Sequence, residues 1–217
     1  MRVAVLGAGI VGRTLATRLT ELRHQVMLGT RAPGDPKAVR WARRAGDYGE
    51  VGTYSTAVEA ATLVINATAG TVSVQALRAV GSDALAGKVL VDVANPVVAP
   101  DADPPTLEPV GLHSLGEQIQ QQFPRSHVVK TLNTVSPAIM VQPNRLPGHH
   151  VMFVAGNNRQ AKWVVTGLLR EFGWPQDNII DLGDISGARS MEMLVPLRQR
   201  LSRSLGHTNF NIHIQHT

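Results

Sequence analysis

Short apolar runs alternate with helix-spaced apolar positions along most of the chain. Residues 3–6, 25–30, 51–54, 63–67, 88–94, 128–132, 151–155 and 179–182 read as strands. Between them, residues 10–22, 37–45, 57–61, 72–80, 114–123 and 158–172 read as helices. Leu15, Leu19 and Leu22 mark the buried stripe of the first. Pro33-Gly34-Asp35-Pro36 breaks the chain after the second strand, and Ser114-x-x-Glu117 forms a capping-box pattern. The strongest central-strand pattern is Val-Leu-Val-Asp-Val, within residues 88–94. Residues 96–113 form a connection rich in proline (Pro96, Pro100, Pro104, Pro105, Pro109). The last helical pattern covers 186–205, where Pro196 is expected to kink the helix or start a new one. Residues 210–214 alternate as a short terminal strand would. Strands alternating with helices predict an α/β fold with a parallel sheet covered on both faces.

The first strand pattern runs straight into Gly7-x-Gly9-x-x-Gly12, and a helix pattern follows at once. That order is what a dinucleotide site requires. Gly7 allows the tight turn, Gly9 lets the backbone approach a pyrophosphate, and Gly12 lets the helix pack on the strand. Ile10 and Val11 open the helix, whose free N–H groups and dipole favour phosphate. The fold class is therefore a Rossmann-type, doubly wound parallel sheet with a small C-terminal α/β extension. The expected division is an NADP-binding domain over 1–125 and a smaller part over 126–217 that closes the acceptor site.

The second strand ends at Leu28-Gly29-Thr30-Arg31, roughly 20 residues past the glycine turn, where NAD sites place an acid on the ribose. No acid precedes Asp35 here. Arg31 suits a forked contact with a 2′-phosphate, supported by the Thr30 hydroxyl and by Lys37 from the next helix. This pattern favours NADP(H) over NAD(H); the competing reading makes Arg31 a solvated strand-end residue.

Ala67 and Thr68 follow the fourth strand; Ala94, Asn95 and Pro96 end the fifth. These carboxyl ends border the crevice of an open parallel sheet, so all five are cofactor-binding candidates. Asn-Pro is also a common turn initiator. Asn133 and Thr134, polar residues directly after the sixth strand, are candidates for the acceptor side, together with Met193 from the last helix. His113, His149, His150, His213 and His216 lack the spacing of a metal site, and no Ser/His/Asp constellation is readable. No metal site and no catalytic acid or base is expected.

Composition narrows the picture. The chain has 217 residues, 43% hydrophobic and 17% charged, with no cysteine, which excludes disulfides and thiolate chemistry. Its net charge is +5, but the basic residues are scattered and the aromatics few, so no nucleic-acid partner is expected. No apolar run reaches the roughly 20 residues that span a bilayer. With a strand at the very start, no signal peptide is read. The expected protein is cytoplasmic and makes no membrane contact.

The chain resembles the deazaflavin-dependent NADP oxidoreductases, the NADPH:coenzyme F420 oxidoreductase family. The resemblance rests on the segments 5–12, 28–31, Val129-Lys-Thr-Leu-Asn-Thr-Val135 and Gly183-Asp-Ile-Ser-Gly-Ala-Arg-Ser-Met-Glu-Met193. The same domain is similar to the NADPH module of membrane ferric reductases. The family implies hydride transfer between NADP(H) and a deazaflavin stacked on the nicotinamide, in a homodimer. Archaeal members carry histidine in the segment after the sixth strand; Asn133 stands here, as in the ferric-reductase modules. FMN or FAD thus stands beside deazaflavin as the small-molecule acceptor. Two alternatives remain: an NADP-linked reductase of a carbonyl or imine, and a non-enzymatic NADPH sensor.

Overall fold

The computed structural model describes residues 1–99, 106–107 and 113–215. The first half runs β1 (Arg2–Leu6), α1 (Ile10–Glu21), β2 (Gln25–Gly29), α2 (Pro36–Ala45), β3 (Gly49–Gly52), α3 (Tyr54–Ala60), β4 (Leu63–Asn66), α4 (Gly70–Val80), α5 (Ser82–Leu85) and β5 (Val89–Asp92). A small antiparallel pair follows, β6 (Val97–Ala99) with β7 (Thr106–Leu107). The second half runs α6 (Leu115–Gln122), β8 (His127–Thr131), α7 (Pro137–Val141), β9 (Met152–Ala155), α8 (Arg159–Phe172), β10 (Ile179–Asp181) and α9 (Gly187–Leu205).

Eight strands form one sheet in the order β10-β9-β8-β5-β4-β1-β2-β3. From β3 to β8 all neighbours are parallel, and the strand order reverses between β1 and β4. That reversal opens the crevice where doubly wound folds bind ligands. Alternating strand residues feed two cores. Val3 and Val5 pack with Leu15 and Leu19 of α1, Trp41 of α2, Ile139 of α7 and Val165 of α8. Ala4 and Leu6 pack on the other face with Val58 of α3, Leu77 of α4, Ile119 of α6 and Ala188 of α9. Side-chain caps fix several helix starts. Asp35 caps α2, Thr53 caps α3, Asn158 caps α8, and Ser114 with Glu117 forms a full capping box on α6.

Three expectations change. The sheet is not parallel throughout: β9 runs antiparallel to β8, and β10 runs parallel to β9. Of the two expectations for Pro196, a new helix start is overturned, since α9 is continuous from Gly187 to Leu205 with the proline inside it. Residues 210–214 form no strand; one Val151 N–H donates to Ile212 O, and Asn211 donates to Val151 O. Pro100, Pro104, Pro105, Pro109 and His216 lie outside the described residues. The sheet itself continues across residue 125, because β8 pairs in register with β5.

Candidate functional site

The glycine turn is built as its spacing requires. Gly7 has φ 110°, and a Cβ there would stand 2.5 Å from Ala67 O. A Cβ on Gly12 would collide with Gly7 O at 1.8 Å. Gly9 differs: its φ of −69° suits any residue, and a Cβ would meet no atom within 4 Å. The fold itself therefore places no demand for glycine at position 9. Gly9 is also the N-cap of α1, which has no side-chain cap, so its first amides face the crevice unclaimed. Ile10, 70% exposed, and half-buried Val11 start the helix beside it.

Thr30 is buried at the end of β2, and its Oγ1 accepts a bond from Ala32 N–H. Arg31 is exposed and has neither hydrogen bond nor ion pair among the described residues. It lies near Tyr54, whose phenol burial pushes up in pKa while the Arg31 charge pulls it down. Lys37 is exposed on the first turn of α2. Asp35, the first acid after β2, is consumed as the α2 cap: backbone bonds from Lys37 and Ala38 hold its carboxyl below the ordinary value.

The other candidates fall into two groups. Ala67 and Ala94 carry small side chains beside the carboxyl ends of β4 and β5, with Pro96 buried just beyond. Thr68 gives its hydroxyl to Asn66 Oδ1 at 2.7 Å and shares a second bond with Ser73. Asn95 and Asn133 lock together: Asn95 Nδ2 donates to Asn133 O, and Asn133 Nδ2 donates to Asn95 Oδ1, both at 2.9 Å. Asn133 Oδ1, Thr134 Oγ1 and Ser136 Oγ are buried and find no partner among the described residues. Three unpaired groups within four residues are costly unless something binds them. The chain is aimed there by Leu132, which holds φ 63°, a left-handed conformation costing about 1–3 kcal/mol for such a residue. Met193 is not brought to this cluster; it is 62% exposed on α9, and the α9 contact to Asn133 is the Met191 carbonyl.

Below the crevice lies a feature that sequence reasoning missed. Lys130 of β8 is fully buried and pairs at 2.8 Å with Asp92 of β5 and with Glu192 of α9, both also fully buried. Burial alone would lower the lysine pKa; the two carboxylates outweigh it and hold it above the ordinary value. Two carboxylates against one ammonium leave a negative charge to offset. Leu115 N–H and Gly116 N–H, the first amides of α6, donate to Glu192. Asn66 Nδ2 donates to Asp92 at 2.8 Å. The network thus ties β4, β5, β8, α6 and α9 together under the cofactor crevice. Its sequence signal is an isolated charge within an apolar run, at Val-Leu-Val-Asp, at Val-Val-Lys-Thr and at Ser-Met-Glu-Met.

The residues fit a dinucleotide: a bare turn, an uncapped helix and an unpaired arginine where a 2′-phosphate would lie. Among the described residues no cluster of three or more His, Asp or Glu is arranged to hold a metal, and no helix is long and apolar enough to cross a membrane.

The family model for "NADP oxidoreductase coenzyme F420-dependent" matches residues 2–96. A solved structure from Arthrobacter sp. FB24, assigned as an F420-dependent NADP reductase, is 45% identical, with a TM-score of 0.93 and complete coverage of both chains. Metalloreductase STEAP3 of Rattus norvegicus is 30% identical over 199 residues, which are 91% of this chain and 36% of that protein. This chain thus spans about a third of that relative's length. A reductive aminase from Aspergillus terreus shares the fold alone, at 19% identity and a TM-score of 0.65 over 94% of this chain and 62% of its own. The full-length match, together with the glycine turn it contains, makes this chain a member of the coenzyme F420-dependent NADP oxidoreductase family.

Proposed function

We propose that this protein is an NADPH-dependent reductase that passes hydride to a deazaflavin or flavin. The observation that carries the reading is Gly9: neither its backbone angle nor its neighbours require glycine, so what requires it is a ligand lying against the turn. When bound, the dinucleotide supplies the hydride. The chain's own residues bind, orient and exclude water. The α1 amides hold the pyrophosphate, and Arg31, with Thr30 and Lys37 nearby, holds the 2′-phosphate. Ala67, Thr68, Ala94 and Pro96 wall the nicotinamide side, and the Asn95–Asn133 pair fixes the loop that faces it.

The acceptor class follows from the unpaired groups. Asn133 Oδ1 accepts only, while the Thr134 and Ser136 hydroxyls both donate and accept. A ring edge with an N–H between two carbonyls, common to flavins and deazaflavins, satisfies such a set. Direct transfer between stacked rings needs position rather than an acid or base. The test is to follow the nicotinamide band of NADPH while adding deazaflavin, FMN, FAD and ferric chelates separately. Oxidation by a deazaflavin or flavin supports the reading. Binding of NADPH without oxidation by any of them would turn it into a sensor or a reductase of other substrates.

A further inference from the structure

Ala67, Thr68, Ala94 and Pro96, the wall of the nicotinamide side, are uncharged. The charges bonded to that wall lie one layer beneath it. Lys130 Nζ donates to Ala94 O and stands 2.8 Å from both Asp92 Oδ2 and Glu192 Oε1. Asp92 Oδ1 accepts from Ala94 N–H at 3.3 Å and from Asn66 Nδ2 at 2.8 Å. Asn66 Oδ1 in turn accepts the Thr68 hydroxyl at 2.7 Å. The three charged side chains are fully buried and are bonded, directly or through Asn66, to the ends of β4 and β5. Hydride transfer as described leaves all three unused.

Their charges do not cancel. One ammonium faces two carboxylates, which leaves one negative charge. The N-terminus of α6, through the Leu115 and Gly116 N–H groups, returns about half a unit charge. Asn66 supplies a dipole and no net charge. One carboxylate would satisfy the ammonium, and burying a second costs desolvation. The surplus charge is what a purely supporting role leaves unexplained. In surroundings of low dielectric its field is weakened less than in water.

The chemistry of the dinucleotide decides what such a field can act on. NADP⁺ and NADPH share their phosphates, riboses and adenine, so the field acts on those parts alike. They differ in the nicotinamide ring, which is cationic when oxidised and neutral once it holds the hydride. A negative charge beneath the ring stabilises the oxidised form only.

We propose that the Asp92–Lys130–Glu192 cluster tunes the hydride affinity of the bound nicotinamide. Its surplus negative charge favours NADP⁺ over NADPH in the site and so drives hydride toward the acceptor. The inference rests on the reading above, which puts the ring at the ends of β4 and β5. The hydride, with its electron pair, passes from ring to acceptor; the cluster gives up neither proton nor electron.

The test is the ratio of the dissociation constants for NADP⁺ and NADPH, measured by calorimetry on the full chain at one pH and ionic strength. It is measured for the wild type, Glu192→Gln, Asp92→Asn and Lys130→Arg, with thermal unfolding to show that each variant folds. The two carboxylate variants each remove one negative charge. Lys130→Arg disturbs the packing and keeps the charge. In both carboxylate variants the ratio should shift toward NADPH by about threefold to tenfold, the order of effect of one unit charge inside a protein. Lys130→Arg should weaken both nucleotides alike and keep the wild-type ratio. Equal losses for both nucleotides in the carboxylate variants overturn the proposal and leave the cluster a support. A ratio that moves as far in Lys130→Arg also overturns it. If neither carboxylate variant folds, the wild type decides: NADP⁺ bound at least as tightly as NADPH supports the proposal, and the reverse preference overturns it. Failure of both nucleotides to bind the wild type strikes instead the dinucleotide reading on which the proposal rests.

Discussion

Arg31 stands alone at the end of β2, exposed and without a partner, on the side of the turn where a ribose phosphate would lie. Arg31→Ala should weaken NADPH binding by about 1.5–3 kcal/mol, the size of a lost charge-assisted bond, and leave NADH binding nearly unchanged. Fluorescence titration with both cofactors checks this; equal losses would remove the 2′-phosphate assignment. Lys130 predicts a different kind of effect. Lys130→Met leaves Asp92 and Glu192 buried without their cation, which should cost about 3–5 kcal/mol of stability in thermal or urea unfolding. A variant that melts with the wild type would show that the cluster carries no net charge. The two residues also mark what was legible. The place of Arg31 just after β2 could be read because a fixed distance from Gly7 predicts it, while its phosphate contact rests on the titration above. Lys130 could not, because a lysine in Val-Val-Lys-Thr looks like the polar step of a half-exposed strand. Its partners lie on β5 and α9, far along the chain.

Helix α6 shows how one element joins the site to its support. Its first turn donates to Glu192, while its own Glu117 closes the capping box on Ser114 and pairs with Arg189 at 2.7 Å. Burial pushes the Glu117 pKa up, but the Ser114 and Arg189 bonds prevail and hold it below its ordinary value. A depressed folded pKa gives stability that is present above the unfolded pKa, about 4.3. That stability fades as pH falls through the lower, folded value. The melting-temperature gap between wild type and Glu117→Gln should therefore be open at neutral pH and close in acid below about pH 4. A gap that stays constant with pH would remove the carboxylate from the argument. At this scale most strands were legible because they are buried on both faces and read as unbroken apolar runs. Residues 210–214 misled because alternation signals extended backbone, and here extended backbone finds only isolated bonds to Asn211 and Ile212. The β6–β7 pair was invisible, being three residues against two within a proline-rich stretch. Pro196 starts no new helix, because the packing of α9 on β9 and α6 outweighs one lost backbone bond.

Across the whole molecule, α9 buries Ala188, Met191, Glu192 and Val195 and leaves Met193, Leu197, Leu201 and Leu205 exposed. An exposed stripe repeating at every fourth position is self-complementary about a twofold axis. We infer a homodimer through this face. Sedimentation should give a dimer for the wild type and a monomer for Leu197→Glu/Leu201→Glu; a monomeric wild type would reject the interface. The glycine turn announced the parallel half of the sheet, but nothing local announced the reversal at β9, since an apolar run reads the same in either direction. All eight strands still form one sheet, and Lys130 pins two of them, β5 and β8, to α9 beneath the crevice. On the reductase reading, the residues proposed to face donor and acceptor stand on one sheet, with no break in it among the described residues. The gap a hydride must cross is then a fixed dimension of the scaffold, like the bore of a machined part. Turnover should be paced by molecules arriving and leaving rather than by jaws that shut.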